Sequence, residues 1–340
     1  MPNEHNDNYS LNNGALREQQ VAWENAGWLA ETTPWIYQQL ERFGYTPSAP
    51  FEQVRTNFWA TTLRLPTTRG NLYFKAMAPL FAFEPILTQH LSQLVPGQVP
   101  SVLAVDRQQH WMLMQDGGVP FRSGPRDPNR SIVVIRQYAQ LQMTLAPHIE
   151  TLKATGCPDH RLHHLPHLYD EMLTATQFLL IDEPNGLPRS EYEQLLAYKP
   201  QLQAMCDELA TYNIPETLEH NDLHTNNILV NGERYIFFDW GDSCLAHPFV
   251  AMFIVLRDAK YRLEYDEKDI ERIRQAYLAC WTEYEPMERL ERVLTLAHRL
   301  GSLHRALTWY RLEPYAPPEV RQMFAESVPY FLRVFLGTEE

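Results

Sequence analysis

The chain has 340 residues, of which 44% are hydrophobic, and a formal net charge of −13 at pH 7. This length exceeds the usual size of one compact domain, so two lobes of unequal size are expected. The acidic balance argues against a nucleic-acid partner, because phosphate backbones are bound by basic surfaces, and is compatible with a cationic small molecule. No apolar run approaches the ~20 residues that span a bilayer, so no membrane partner is expected.

Cysteine usage and the first residues indicate the compartment. Cys157, Cys206, Cys244 and Cys280 are scattered, without a C-x-x-C pair or a metal-like spacing. This pattern favours a reducing cytoplasm over a disulfide framework. Residues 1–14 are polar and asparagine-rich and lack the order of a signal peptide, so we expect this segment to be disordered.

A helix-forming segment, residues 15–42, precedes three short β-rich runs. We expect Pro34 to interrupt the helix. The runs Phe51–Thr56, Thr61–Leu65 and Asn71–Met77 are predicted strands, and a cluster of turn residues separates the last two.

Two residues of opposite charge, Lys75 and Glu84, follow on a predicted strand and on the next predicted helix. Lys75 lies inside the third run, and Glu84 lies near the start of a helix-like run in which Pro85 suits the first turn. Taken alone, a strand lysine is most often a solvent-facing side chain.

The segment Trp111–Gly118 is an apolar run that ends in polar residues and two glycines. Its simplest interpretation is a strand that ends in a turn. Ser131 is the predicted cap of a long helix through about Leu152. Further helices are predicted over Tyr169–Ile181, Ser190–Tyr212, Asp266–Tyr284 and Met287–Tyr310.

A hairpin signal organises the most informative part of the chain. Asn231-Gly232, the strongest type of two-residue turn, separates β-rich runs at residues 228–230 and 234–238. Asn227 enters the first run and Asp239 leaves the second, so both should lie at the open end of one hairpin. Their amide and carboxylate oxygens suit Mg²⁺, which prefers oxygen ligands.

Asp222 precedes this hairpin by a few residues and can accept a proton from an attacking hydroxyl. The pattern H-x-D-x-x-x-x-N from His220 to Asn227, followed by D-W-G from Asp239, resembles the catalytic loop and metal motif of the protein-kinase-like superfamily. It resembles more closely the aminoglycoside and choline phosphotransferase branch, where the first motif often reads H-G-D-x-H-x-x-N. The resemblance implies that Asp222 is the catalytic base, that Asn227 and Asp239 bind Mg²⁺, and that the leading histidine braces the loop. Asn221 replaces the usual glycine, and asparagine tolerates left-handed backbone better than most residues.

The upstream half agrees with this resemblance. It implies that Lys75 on the third strand pairs with Glu84 on the next helix and positions the nucleotide phosphates. It also implies that Met114 and Gln115 lie in the hinge, where backbone groups meet the adenine.

The sequence departs from the protein-kinase pattern in the loop that is expected to contact the phosphates. The segment Arg55–Thr61, between the first two predicted strands, contains no glycine. Thr56, Asn57 and backbone amides are all candidates for phosphate contacts.

The resemblance covers about Phe51 to Phe249 and implies an α+β, bilobal protein-kinase-like fold. Residues 15–116 would form a small β-containing N-lobe and residues 117–340 a larger, mostly helical C-lobe. The implied function is ATP-dependent phosphorylation of a hydroxyl on a small molecule, such as an aminoglycoside-like antibiotic or another metabolite, with ATP and Mg²⁺ as cofactors. AMP transfer and nucleotide binding without catalysis are the alternatives. The sequence leaves open the acceptor, the oligomeric state, and whether Asp242 is a metal ligand, a cap or a substrate contact.

Overall fold

The protein is described by a computed structural model over residues 21–339. The segment expected to be disordered and the first residues of the predicted 15–42 helix lie outside the described residues. The described chain forms ten strands: β1 (Glu52–Thr56), β2 (Ala60–Thr67), β3 (Gly70–Met77), β4 (Val102–Asp106), β5 (Trp111–Gln115), β6 (Val119–Pro120), β7 (Thr217–Glu219), β8 (Ile228–Asn231), β9 (Arg234–Phe237) and β10 (Cys244–Ala246).

The same residues form twelve α-helices, with several single 3₁₀ turns between them. The helices are α1 (Trp28–Arg42), α2 (Phe83–Leu94), α3 (Pro128–Leu145), α4 (Ile149–Lys153), α5 (Leu165–Thr174), α6 (Arg189–Ala197), α7 (Lys199–Ala210), α8 (Ala251–Tyr261), α9 (Glu267–Ala279), α10 (Met287–Leu312), α11 (Pro318–Phe324) and α12 (Ser327–Leu336). None of the described helices combines the length and the apolar character needed to cross a membrane. Together with the strands, they confirm the predicted α+β class.

The largest sheet has five antiparallel strands in the order β1-β2-β3-β5-β4. The three predicted strands near its start are confirmed, and β2 is longer than expected at both ends. Helix α1 packs on this sheet, with Ile36 and Leu40 buried against Leu63, Phe74 and Leu113. Two smaller sheets pair β7 with β10 and join β6, β8 and β9.

Three predictions about helices are wrong and involve a proline or a missed cap, and the predicted 169–181 helix lies at Leu165–Thr174 instead. Helix α1 runs unbroken through Pro34, because proline removes one backbone hydrogen bond while burial of the helix face stabilises the rest. Helix α3 begins at Pro128, and its cap is Asp127, whose Oδ1 accepts a hydrogen bond from the Asn129 N–H at 2.9 Å, rather than Ser131. The predicted 190–212 helix is two helices, and proline lies in the first turn of the second.

The described chain divides into two compact units. One runs to Asp159 and resumes over Tyr212–Gly301, and it contains all ten described strands. The other comprises His160–Thr211 and the described residues from Ser302 onward, and it is helical. The lobe boundary that we expect after residue 116 stays a prediction.

Candidate active site

The hairpin that carries the motif forms, but its turn lies one residue later than predicted, because Asn231 pairs with Arg234 and the two-residue connection is Gly232, at φ 62°, and Glu233. Strands β8 and β9 pair from Ile228 and Phe237 at the open end to Asn231 and Arg234 at the turn. The pairing extends one step further, because the Phe238 N–H donates to the Asn227 carbonyl at 3.1 Å. Asn227 therefore enters the hairpin directly beside the residue that precedes Asp239.

The loop before the hairpin folds back on its own aspartate. Asn227 Nδ2 donates to the backbone oxygen of Asp222 at 3.0 Å and to its Oδ2 at 3.2 Å. His224 Nδ1 accepts from the Asn226 N–H at 3.2 Å, and its Nε2 lies 3.3 Å from Asp222 Oδ2. Asn221 has φ 60°, a left-handed backbone conformation that asparagine tolerates better than most residues.

His220 links this loop to the D-W-G segment. Its Nε2 donates to the Phe238 carbonyl at 2.9 Å, and its ring lies 4.7 Å from that of Trp240. Burial lowers the pKa of His220, so the imidazole is neutral and serves as a brace. Trp240 is itself fixed by a 2.9 Å hydrogen bond from Nε1 to the Phe237 carbonyl.

Lys75 is the electrostatic centre of the site. Its Nζ lies 2.6 Å from Glu84 Oε1 and 2.6 Å from Asp239 Oδ1, and its side chain is 11% exposed. Burial by itself lowers the pKa of Lys75, but the charges of Asp239 and Glu84 outweigh it and raise the pKa to about 12. The lysine is therefore charged and joins β3, α2 and the D-W-G segment.

The two carboxylates differ in their surroundings. Burial raises the pKa of Glu84 to about 7, and the lysine charge offsets only part of this effect. Burial also acts to raise the pKa of Asp239, but the charge of Lys75 outweighs it and lowers the pKa, with a smaller contribution from Arg55. Asp239 is thus the anionic, cleft-facing member of the cluster, 24% exposed, with Arg55 Nη1 at 3.4 Å from its Oδ2.

The backbone around Asp239 is unusual. Asp239 has φ 68° and ψ 62°, a left-handed conformation that costs roughly 1–3 kcal/mol for a residue other than glycine. Two residues later, a Cβ on Gly241 would lie 2.9 Å from Glu84 Oε2, so only glycine allows this close approach. The glycine of the D-W-G segment therefore lets Glu84 on α2 lie close to this segment.

A cavity of about 270 Å³ lies in front of the lysine. Lys75, Asp239, Met114 and Gln115 all line it, whereas Asp222 and Asn227 do not. The Gln115 N–H donates to the Ser101 carbonyl at 2.9 Å, so within the predicted hinge this group is already used by the protein.

A buried polar network, which no sequence motif marks, supports the backbone of the loop. Glu219, fully buried at the end of β7, accepts hydrogen bonds from Tyr138 Oη at 3.0 Å and from the Asn221 N–H at 3.2 Å on Oε1. Its Oε2 accepts from Gln142 Nε2 at 2.8 Å, and Tyr138 Oη also accepts from the His220 N–H at 3.0 Å. Two successive loop amides thus depend on one carboxylate.

A second residue missed by sequence analysis holds the far side of the loop. Asp258 on α8 is 6% exposed, and its Oδ2 accepts from the Thr225 N–H at 3.0 Å. Its Oδ1 lies 3.3 Å from Arg262 Nη1, one helical turn along. Neither Asp258 nor Glu219 belongs to a recognisable motif, and only the fold places them against the loop.

The residues present fit a magnesium ion by their donor chemistry. Asn227 directs its amide nitrogen at Asp222, so the amide oxygen is the atom that suits a metal. Asp239 contributes a carboxylate of lowered pKa. A hard cation with oxygen ligands matches this pair.

The comparisons with known proteins confirm the predicted resemblance to protein-kinase-like small-molecule kinases. The model of the phosphotransferase enzyme family matches residues 49–290, and the chain belongs to this family. No curated protein matches the chain in sequence.

Solved structures share the fold at low identity. An ethanolamine kinase from Plasmodium vivax has 11% identity and a TM-score of 0.60, with 95% of each chain covered. A type I macrolide 2′-phosphotransferase has 13% identity and a TM-score of 0.58, covering 88% of this chain and 97% of its own. An amicoumacin kinase in complex with AMP-PNP and Ca²⁺ has 12% identity and a TM-score of 0.54, covering 91% and 96%. These likenesses confirm the predicted kinase-like fold.

Proposed function

We propose that the protein transfers the γ-phosphoryl group of ATP to a hydroxyl of a small molecule, with Mg²⁺ as cofactor. The observation that carries this proposal is the position of Lys75, whose Nζ lies 2.6 Å from both Glu84 and Asp239 at the edge of one cavity. A charged lysine beside a metal-binding carboxylate is what phosphoryl transfer requires, because this reaction depends on positioning and on charge stabilisation.

Each residue has a distinct task in this proposal. Lys75 orients the nucleotide phosphates, and Glu84 keeps the lysine in place from its buried side. Met114 and Gln115 line the part of the cavity that takes the adenine. Asn227 and Asp239 hold Mg²⁺, which when bound neutralises charge on the phosphates.

Asp222 acts on the acceptor. Its carboxylate accepts the proton of the acceptor hydroxyl while the hydroxyl oxygen bonds to the γ-phosphorus and the bond to the β-phosphate bridge breaks, which releases ADP. The hydrogen bond from Asn227 to Oδ2, with His224 Nε2 at 3.3 Å from the same oxygen, fixes the orientation of the carboxylate. Such orientation raises the rate because the reacting atoms must approach in line.

The relatives support the class of reaction and of acceptor. The amicoumacin kinase was solved with a nucleotide analogue and a divalent cation, and the other two are named for ethanolamine and for macrolides. The net charge of −13 is compatible with a cationic acceptor such as these names suggest.

One experiment tests the reaction class. The protein is incubated with ATP, MgCl₂ and a mixture of aminoglycosides, macrolides, amino alcohols and sugars, followed by nucleotide chromatography and mass spectrometry. We expect ADP together with a phosphorylated acceptor. Pyrophosphate with an AMP-modified product would establish AMP transfer instead, and tight ATP binding without any turnover would establish a binding module.

Two variants test the residue roles in the same assay. Asp222→Asn should lower turnover by ~10²–10⁴ and leave MgATP affinity within about a few-fold, since a positioned base contributes to the chemical step. Asp239→Ala should instead weaken Mg²⁺-dependent nucleotide binding. Equal and mild effects of both substitutions would contradict the assignment.

A further inference from the structure

The backbone N–H groups of the loop between β1 and β2 donate hydrogen bonds within the loop itself. Asn57 Oδ1 accepts from the Ala60 N–H at 2.9 Å and from the Trp59 N–H at 3.3 Å. The Asn57 N–H donates to the Ala60 carbonyl at 3.0 Å, and Trp23 Nε1 donates to the Asn57 carbonyl at 2.9 Å. In a glycine-rich loop such amides face the phosphates, whereas here three of them are satisfied within the loop.

The hydroxyl groups of this region are also engaged. Thr56 Oγ1 lies 2.9 Å from Thr61 Oγ1, which in turn is 3.2 Å from the Arg55 carbonyl and 2.8 Å from Gln53 Nε2. Thr56 and Asn57 were the side chains that the sequence offered for phosphate contacts. Both are committed to closing the turn.

The cavity therefore needs another source of positive charge on this side. Among the described residues that line it, the cations are Arg55 and Lys75. Lys75 already faces two carboxylates at 2.6 Å, which offset part of its charge before any phosphate binds. Arg55 on β1 is 58% exposed, and its guanidinium meets Asp239 Oδ2 at 3.4 Å.

We infer that Arg55 binds the terminal phosphates of the nucleotide and takes the part that a glycine-rich loop plays in protein kinases. This inference rests on the proposed function and names a phosphate contact for the same site. A guanidinium presents several N–H groups in a planar fork that matches phosphate oxygens. Its contact with Asp239 places the fork next to the carboxylate that would hold Mg²⁺, where the terminal phosphates must lie.

Calorimetric binding tests this inference without an acceptor. AMP-PNP and adenosine are titrated, in MgCl₂, into the wild-type chain and into Arg55→Ala, Arg55→Lys and Arg64→Ala. Arg64 is the matched control, because it lies on the neighbouring strand in a surface ion pair with Glu52 and does not line the cavity. We expect Arg55→Ala to weaken AMP-PNP by ~10- to 100-fold, the worth of a hydrogen-bonded charge, and adenosine by less than about twofold.

The other variants sharpen the result. Arg55→Lys should recover part of the AMP-PNP affinity, since it keeps the charge and loses the fork, and Arg64→Ala should match the wild type. Unchanged AMP-PNP binding in Arg55→Ala, or an equal loss of adenosine, overturns the inference. A wild-type chain that binds neither ligand overturns the nucleotide site and the inference with it. The expected binding pattern without phosphoryl transfer in the acceptor assay would uphold Arg55 and refute the proposed reaction.

Discussion

The loop that carries Asp222 depends on one buried tyrosine hydroxyl, and this can be tested against a close internal control. Tyr138 and Tyr277 are both fully buried and belong to the same network. Tyr138 Oη donates to Glu219 and accepts from the His220 N–H, both at 3.0 Å. Tyr277 Oη lies 2.8 Å from Gln142 Oε1 and 3.0 Å from the Pro248 carbonyl, so it stabilises the network without a contact to the loop.

The two substitutions to phenylalanine should cost similar stability. Each removes a hydroxyl and leaves a buried partner without a hydrogen bond, which costs about 1–3 kcal/mol in the free energy of unfolding. The local effects should differ, because Tyr138→Phe orphans a loop amide and Tyr277→Phe orphans a side-chain oxygen of α3. A local loss of about 1–2 kcal/mol corresponds to roughly 5- to 30-fold faster amide exchange.

Hydrogen exchange followed by mass spectrometry measures this difference in peptides that cover residues 219–227, and thermal unfolding reports the global loss. Tyr138→Phe should accelerate exchange in that segment, whereas Tyr277→Phe should leave it near the wild type at a comparable loss of stability. Turnover of ATP should fall by about tenfold or more only in Tyr138→Phe, since small displacements of a reacting group are costly. Equal exchange in the two variants would refute a special role of Tyr138 in holding the loop.

Two further predictions concern stability. Burial raises the pKa of Glu219 from 4.5 to about 8, so as the pH rises from about 4.5 to about 8 the unfolded chain loses a proton that the native state keeps. The free energy of unfolding of the wild type should therefore fall relative to Glu219→Gln across this window, and parallel denaturant-derived curves would contradict it. Gly118 and Gly70 have φ of 104° and 102°, but a Cβ on Gly118 would lie 2.2 Å from the Val230 carbonyl and one on Gly70 would meet nothing within 4 Å. Gly70→Ala should lower the free energy of unfolding by roughly 1–2 kcal/mol, and Gly118→Ala should lower it by at least about 2 kcal/mol more. Equal melting temperatures of the two variants would show that the backbone near Gly118 moves aside without cost.

Local signals made the site-bearing elements predictable from sequence. A turn glycine between two β-rich runs predicts a hairpin from local sequence, so Asn227 and Asp239 could be placed at its open end even though the turn is Gly232-Glu233 rather than Asn231-Gly232. The same holds for Asn221, whose side chain suits the left-handed backbone found there. These features depend on residues a few positions apart.

Features that failed or were missed depend on partners far along the chain. Pro34 was expected to break its helix, but burial of the same helix on the sheet keeps it intact. Asn57 and Thr56 are candidates for phosphate contacts in the sequence, but their side chains form hydrogen bonds within the turn. Arg55 gained significance only because Asp239, 184 residues later, lies beside it.

The site holds two buried carboxyl groups, Glu84 and Glu219, which differ in the partners that surround them. Glu84 faces a lysine that also faces Asp239, so its charge belongs to a cluster in which cations and anions alternate. Glu219 has hydrogen-bond donors from Tyr138, Gln142 and a loop amide, none of them a cation. A buried carboxylate without a cation is costly to ionise, and burial is the main cause that raises the pKa of both Glu219 and Glu84. The first arrangement places a lysine and an aspartate at the edge of the cavity, and the second holds the backbone of the loop that carries Asp222. The pH dependence predicted for Glu219→Gln therefore decides whether Glu219 supports the loop as a neutral carboxyl or as a carboxylate held by three donors.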